Sequence, residues 1–124
     1  LVVDDDGAIR DIVTAILHRH GYRVVSCGDG VEAIREFSQR PSEFSAVITD
    51  VDMPRLGGVA LAGALRQLRP EIQLLAMSGL SRNERGESDV PAVRELADAF
   101  LLKPFSPESL LRAMHRMLHA AETA

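Results

Sequence analysis

Five short apolar segments, rich in β-branched residues, recur along the chain and constrain its fold more than any other feature. Each is too short for a helix and is almost unbroken by polar residues, which is the pattern of strands buried on both faces of a parallel sheet. The segments between them carry apolar residues at helical spacing. This alternation predicts an α/β fold, in which right-handed crossovers place helices on both faces of a doubly wound five-stranded parallel sheet. The predicted strands are Leu1–Val3, Tyr22–Cys27, Ala46–Thr49, Ile72–Met77 and Ala99–Leu102.

Residues that start and stop helices support the same division. Gly21 lies where the first helix should end, and Ser106-Pro107 supplies an N-cap and a first-turn proline for the last helix. Asp6 is interpreted as a helix-start residue, because the helix dipole favours negative charge there. A short helix is predicted over Pro91–Ala97, after a polar loop at residues 79–90.

Size and charge limit the class of protein. A chain of 124 residues, 46% of them hydrophobic, fits one globular domain. The formal net charge of −4 and the lack of a long basic run argue against direct nucleic-acid binding. No apolar stretch reaches the roughly 18 residues of a membrane span, so we expect a cytoplasmic domain without membrane contact. Because Leu1 begins inside an apolar run, we expect residues 1–124 to be a piece of a longer protein.

Polar residues that could bind a metal or take part in a reaction follow four of the predicted strands. Asp4 and Asp5 follow the first strand, Asp50 the third, Ser78 the fourth and Lys103 the fifth. In a doubly wound sheet, ligands bind beyond the carboxyl ends of the strands. Neighbouring strands lie about 5 Å apart, so the three aspartates would converge if the first and third strands are adjacent.

Three converging carboxylates repel one another unless a cation separates them. Mg²⁺ is a hard cation that prefers one or two carboxylates together with water and phosphate oxygens. The amine of Lys103 would supply a positive point charge for a phosphoryl oxygen. Carboxylate, metal, hydroxyl and ammonium are together the groups needed for phosphoryl transfer to a carboxylate nucleophile.

The order and spacing of these motifs resembles the receiver domains of bacterial two-component response regulators. The motifs are Leu-Val-Val-Asp-Asp-Asp at the start, Asp50-Val-Asp-Met-Pro with Gly58 after it, Ser78-Gly79, and Lys103-Pro-Phe. The resemblance covers essentially the whole chain. It implies a flavodoxin-like sheet with the strand order 2-1-3-4-5.

The resemblance also implies roles for individual residues. Asp50 would be the phosphoacceptor, and Asp4 and Asp5 would form the acidic pair of a Mg²⁺ or Mn²⁺ site. The backbone carbonyl of Asp52 would also bind the metal. Lys103 would pair with Asp50 and then with the phosphoryl oxygens. Such a domain catalyses its own phosphorylation and dephosphorylation but is not a conventional turnover enzyme.

Two further residues match the switch positions of the family. Ser78 would hydrogen-bond the acquired phosphoryl group, and Phe100 stands three residues before Lys103 at the aromatic switch position. Many receivers carry tyrosine there, so a phenolic hydrogen bond is not available to this chain. Gly57 replaces a common aspartate before Gly58, which touches none of the chemistry.

The partners implied are a histidine kinase or phosphotransfer protein as donor, and a downstream protein that contacts the fourth helix, the fifth strand and the last helix. The chain resembles either a stand-alone regulator or the C-terminal receiver of a hybrid histidine kinase. Met77-Ser-Gly-Leu and Phe100-Leu-Leu-Lys-Pro-Phe look more like the hybrid kinase.

Two alternatives remain open from the residues alone. The segment Asp50-Val-Asp52 resembles the nucleophile motif of haloacid-dehalogenase-type phosphohydrolases, with Asp50 as nucleophile and Asp52 as general acid. The early acidic pair is in the wrong chain order for that family. A pseudo-receiver used only for protein binding is disfavoured by the complete acidic set with Lys103.

His115 and His119 have metal-binding spacing but no convincing third ligand, so we interpret them as a solvated pair.

Overall fold

The computed structural model describes residues 1–51, 58–78 and 97–123. Its strands form one parallel sheet in the order β2-β1-β3-β4-β5. The predicted α/β class and the strand order 2-1-3-4-5 are therefore confirmed. The strands are β1 (Val2–Val3), β2 (Ser26–Cys27), β3 (Ala46–Asp50), β4 (Gln73–Ser78) and β5 (Ala99–Leu102).

The helices of the described residues are α1 (Gly7–Arg19), α2 (Gly30–Gln39), α3 (Gly58–Leu68) and α4 (Pro107–Thr123), which we call the last helix. A 3₁₀ helix covers Pro41–Glu43. No helix in the described part of the chain combines the length and apolarity that a membrane crossing requires.

The helix boundaries follow the predicted signals. The side chain of Asp6 accepts hydrogen bonds from the backbone N–H groups of Ala8 and Ile9, which confirms it as the residue that starts α1. Gly21 follows α1 with a φ of 89°, a conformation that glycine adopts without strain. The hydroxyl of Ser106 accepts from the N–H of Ser109 at the start of the last helix.

Alternate strand residues separate two apolar layers, as expected for a sheet buried on both faces. Val3 and Val47 pack with residues of α2 and α3. Val2 and Ile48 pack with residues of α1 and the last helix. Cys27 is buried in the first layer, in agreement with its interpretation as a core residue. The prediction of helices on both faces is confirmed.

The second strand is shorter than predicted. Only Ser26 and Cys27 pair with β1, although the carbonyl of Val25 still accepts from Val2. Tyr22 and Val24 pack half-buried against the layer of α1 and the last helix. Their apolar character therefore serves side-chain packing rather than strand pairing, and periodicity does not distinguish these uses.

Several predictions fall outside the described residues. They are the polar loop at 79–90, residues 91–96 of the predicted fourth helix, the carbonyl of Asp52, and Gly57.

Candidate functional site

The carboxyl edge of the sheet brings the predicted site residues together. Asp4 directly follows β1, Asp50 is the last residue of β3, Ser78 is the last residue of β4, and Lys103 directly follows β5. The parallel register pairs Asp50 with Met77, one residue before Ser78, so these strand ends lie at one level. The sequence placed Asp50 and Ser78 just beyond their strands, whereas the structure includes both in the paired region.

The aspartates form an acidic cluster of Asp4, Asp5 and Asp50. One carboxylate oxygen from each lies within 4.8 Å of the other two. Asp4 and Asp50 are only 0% and 5% exposed, whereas Asp5 is exposed. The cluster is therefore closed towards the core and open towards solvent at Asp5. Clustered carboxylate oxygens with one open side suit a hard divalent cation that keeps part of its water shell.

Three contacts hold the segment at Asp4. Its N–H donates to the carbonyl of Cys27, and its Oδ1 accepts from the N–H of Asp6 at 2.9 Å. Its carbonyl accepts from Nη1 of Arg10 at 2.7 Å. The turn that carries Asp4 and Asp5 is therefore held by β2, by the start of α1 and by the side chain of Arg10.

Lys103 supplies the positive charge of the site. Its Nζ donates to Oδ2 of Asp4 at 3.0 Å and lies 3.4 Å from Oδ1 of Asp50. Its backbone N–H donates to the carbonyl of Ser78 at 2.8 Å. The resemblance implied a pair with Asp50, and the structure adds a shorter contact with Asp4.

The protonation of Lys103 follows from opposing effects. Burial disfavours the charged amine and lowers its pKa, but the hydrogen bond to Asp4 and the charge of Asp50 outweigh burial. The net pKa of Lys103 is raised above its ordinary value of 10.5, so the amine is cationic at neutral pH.

The two predicted switch residues lie on neighbouring strands. Ser78 is buried, and β4 pairs with β5 through Ala76 opposite Phe100. Phe100 is half-buried and packs against Val51 and Ala76. Because Val51 directly follows Asp50, the aromatic ring contacts the residue next to the buried carboxylate.

Two contacts near the site were not predicted from the sequence. Arg10 reaches back from α1 to the carbonyl of Asp4, and the buried hydroxyl of Thr49 donates to the carbonyl of Asp50 at 3.0 Å. Arg10 stands six residues after Asp4, where a basic residue on the first helix is within reach of the preceding turn. That spacing is common on helix surfaces and carries little information by itself.

A doubly wound sheet with buried carboxylates and a lysine at its carboxyl edge has the groups that phosphoryl transfer to a carboxylate requires. The family model described as the response regulator receiver domain matches residues 1–115. The chain belongs to the response regulator receiver domain family. Receiver domains generally bind Mg²⁺ and interact with histidine kinases or phosphotransfer proteins and with downstream effector domains.

Individual relatives agree with the family match. Response regulator MprA of Mycobacterium ulcerans (strain Agy99) is 38% identical over 119 residues, which are 95% of this chain and 49% of that protein. The chain thus spans about half the length of the curated relatives that it matches. The phosphohydrolase alternative receives no support from these comparisons.

Solved structures show the same fold. The receiver domain of NtrX from Brucella abortus is 31% identical, with a TM-score of 0.80 and coverage of 95% of this chain and 96% of that one. The chemotaxis protein CheY4 of Vibrio cholerae is 28% identical, with a TM-score of 0.79 and 94% coverage of both chains.

Proposed function

We propose that Asp50 accepts a phosphoryl group from a phosphohistidine donor, with a divalent cation, Mg²⁺ or Mn²⁺, held by the acidic cluster. The observation that carries the proposal is the position of Asp50, within the cluster and 3.4 Å from Lys103. Asp4 also contacts Lys103, and the family resemblance assigns the nucleophile to Asp50, the last residue of β3.

In the proposed step, a carboxylate oxygen of Asp50 forms a bond to phosphorus while the bond from phosphorus to the donor imidazole nitrogen breaks. The electron pair of that bond stays on the imidazole. A bound divalent cation would neutralise charge on the phosphoryl oxygens. Lys103 offsets charge from the opposite side, and Asp4 orients its amine.

We assign the metal ligands by the same reasoning. The carboxylates of Asp4, Asp5 and Asp50 supply the oxygen ligands, directly or through water, and the carbonyl of Asp52 is proposed from the family resemblance. The exposed position of Asp5 leaves room for water on the cation, which Mg²⁺ retains.

The proposed readout is a change of packing between Ser78 and Phe100. A hydroxyl of Ser78 drawn towards the phosphoryl group would leave space near Val51, which the half-buried ring of Phe100 already contacts. Phosphorylation would then shift the populations of two packings. Because Phe100 lacks a hydroxyl, burial alone stabilises its inward position.

The proposed partners follow from this chemistry. A histidine kinase or phosphotransfer protein donates the phosphoryl group at the carboxyl edge of the sheet. A downstream protein reads the change at the predicted helix over residues 91–97, β5 and the last helix. We propose that residues 1–124 form the phosphoacceptor domain of a longer signalling protein, and a hybrid histidine kinase is one such protein.

The decisive experiment compares two Asp→Asn variants after incubation with acetyl phosphate and Mg²⁺. Intact-mass measurement should show one phosphoryl adduct on the parent domain and none on Asp50→Asn. Asp98→Asn, which removes a carboxylate before β5, should be labelled like the parent. A persistent adduct on Asp50→Asn would contradict the assignment, and turnover of an aryl phosphate would favour a hydrolase.

Hydrogen exchange with and without beryllofluoride tests the readout. Binding of this phosphoryl mimic should change protection at Ser78 and across Ala99–Lys103. Asp50→Asn is the matched control, because it should not bind the mimic. Unchanged protection in the parent domain despite confirmed binding would exclude the proposed switch.

A further inference from the structure

Arg10 links helix α1 to the end of β1 beside the acidic cluster. Its Nη1 donates to the backbone carbonyl of Asp4 at 2.7 Å, and the residue is only half-exposed. Cys27, Asp6 and Lys103 contact the N–H, Oδ1 and Oδ2 of Asp4. The hydrogen bond from Arg10 instead holds the carbonyl, on the side from which the chain continues to Asp5.

Gly28 provides the space in which the guanidinium lies. A Cβ atom built at Gly28 would stand 3.0 Å from Nη1 of Arg10 and 3.8 Å from its Cζ. The φ of Gly28 is not positive, because Gly21 is the one positive-φ glycine in the described ranges. The lack of a side chain, rather than an unusual backbone conformation, is therefore what matters at Gly28. Its N–H donates to Oε2 of Glu32 at 3.1 Å, which holds this backbone in place.

We propose that Arg10, seated on Gly28, is a positioning residue that orients the carboxylates of Asp4 and Asp5 towards the divalent cation. The inference rests on the proposed function, since it concerns the metal site of that same centre. Arg10 touches neither the cation nor the phosphoryl group. It acts by holding the turn in which the acidic pair converges on Asp50.

A positioning role and a purely electrostatic role of Arg10 predict opposite changes in Mg²⁺ affinity when Arg10 is removed. A cationic guanidinium near a metal site repels the cation, so its removal would strengthen Mg²⁺ binding if charge dominated. Removal would weaken Mg²⁺ binding if Arg10 orients the ligands. Loss of a group that orients metal ligands commonly costs about 10-fold or more in affinity, and the solvent-facing side of the cluster favours the lower end of that range.

The test titrates MgCl₂ into the domain and follows binding by calorimetry, because the chain has no tryptophan to report binding by fluorescence. Arg10→Met should weaken Mg²⁺ binding about 10-fold. Arg10→Lys keeps a charged donor and should recover most of the affinity. Arg35→Met, which removes an exposed arginine from α2, is the matched control and should bind Mg²⁺ like the parent.

Gly28→Ala tests the same contact from its other side, with Arg10 intact. The added methyl group should displace the guanidinium and weaken Mg²⁺ binding. The double variant Gly28→Ala with Arg10→Met should bind no more weakly than Arg10→Met alone, because both changes break one contact. Gly28→Ala alone keeps the test decisive if Arg10→Met folds poorly.

Phosphorylation kinetics give a second readout that a purely structural role would not change. Arg10→Met should raise the Mg²⁺ concentration needed for half-maximal labelling by acetyl phosphate, with a much smaller change in rate at saturating Mg²⁺. Unchanged or tighter Mg²⁺ binding in Arg10→Met would overturn the proposal. Labelling that persists in Asp50→Asn would instead overturn the proposed function and leave the calorimetric result on Arg10 standing.

Discussion

The two edges of the sheet use charge in different ways. At the carboxyl edge, Lys103 lies between Asp4 and Asp50, whose side chains are 0% and 7% exposed. At the amino edge, Arg66 pairs with Asp98 at 2.7 Å, and these side chains are 27% and 33% exposed. The carboxyl edge therefore buries Asp4 and Asp50, although Asp5 is exposed, and the amino edge leaves its ion pair in contact with water.

The charged side chains at the amino edge also form hydrogen bonds with nearby backbone groups. Oδ2 of Asp98 accepts from the N–H of Leu74 as well as from Arg66. Arg69 donates to the carbonyls of Pro41 and Phe44. These contacts join α3 to the starts of β3, β4 and β5, so they act as structural connections.

The carboxyl edge, in contrast, clusters three carboxylates, and two of them, Asp4 and Asp50, contact the amine of Lys103. Like charges at this range repel, so we expect the cluster to lower the stability of the metal-free domain. The same excess of negative charge favours a divalent cation. The comparison leads us to expect that the amino edge contributes stability and that the carboxyl edge loses stability through its clustered carboxylates.

The largest expected effect is the difference in stability cost between removing the lysine of the carboxyl edge and removing the arginine of the amino edge. In metal-free buffer, Lys103→Met should lower the free energy of unfolding by about 3 kcal/mol, because it leaves two buried carboxylates without their cation. Arg66→Met should cost about 1 kcal/mol, as for a partly exposed pair. Urea denaturation measures both.

Mg²⁺ provides the control for that measurement. It should recover more stability in Lys103→Met than in Arg66→Met, because the cation replaces positive charge at the carboxyl edge alone. An equal loss in both variants, with an equal response to Mg²⁺, would remove the distinction between the edges.

Replacing an aspartate by asparagine should change the stability by a smaller amount, with opposite signs at the two edges. In EDTA, Asp50→Asn should raise the free energy of unfolding by about 1 kcal/mol, because it leaves Lys103 paired with Asp4 and relieves the repulsion within the cluster. Asp98→Asn should lower it by about 1 kcal/mol, since it weakens the contact with Arg66. Thermal unfolding in EDTA checks the pair, and destabilisation by both variants would show that repulsion at the cluster is negligible.

The smallest expected effect is a difference in pH response. Burial raises the pKa of the Cys27 thiol to about 11 from its ordinary value of 9.0, with the charge of Glu32 adding to the increase. The folded chain therefore keeps a proton that the unfolded chain loses, and stability contributed by Cys27 falls as pH rises from 9 to 11. The raised pKa of Lys103 adds a similar fall above 10.5.

The amino edge should respond to acid instead. Hydrogen bonds from its own backbone N–H and from Arg69 lower the pKa of Glu71 below its ordinary value of 4.5. Its contribution is present above pH 4.5 and is lost as pH falls through the lowered pKa. Denaturation curves measured across pH give the free energy of unfolding at each pH. Cys27→Ala should reduce its fall between pH 9 and 11, and Glu71→Gln should reduce its fall below pH 4.5. If instead Cys27→Ala changed the acidic fall and Glu71→Gln the alkaline fall, the two edges would not differ in the expected way.

Much of the fold could be predicted because its signals are local. Unbroken β-branched segments indicate buried strands, and Asp6, Gly21 and Ser106 mark helix boundaries through contacts within a few residues. The strand order came from the family resemblance, since periodicity does not say which strands are neighbours. Tyr22 and Val24 show the limit of periodicity, because an apolar residue beside a strand can pack without pairing.

The sequence by itself determined which chemical groups stand at the strand ends: the aspartates, Ser78 and Lys103. Only the tertiary structure decided their contacts. Lys103 meets Asp4, 99 residues away, at a shorter distance than Asp50, and Arg10 lies against Gly28. The physical reason is that these distances depend on how neighbouring strands and helices pack, whereas local spacing specifies only the element and the end at which a residue lies.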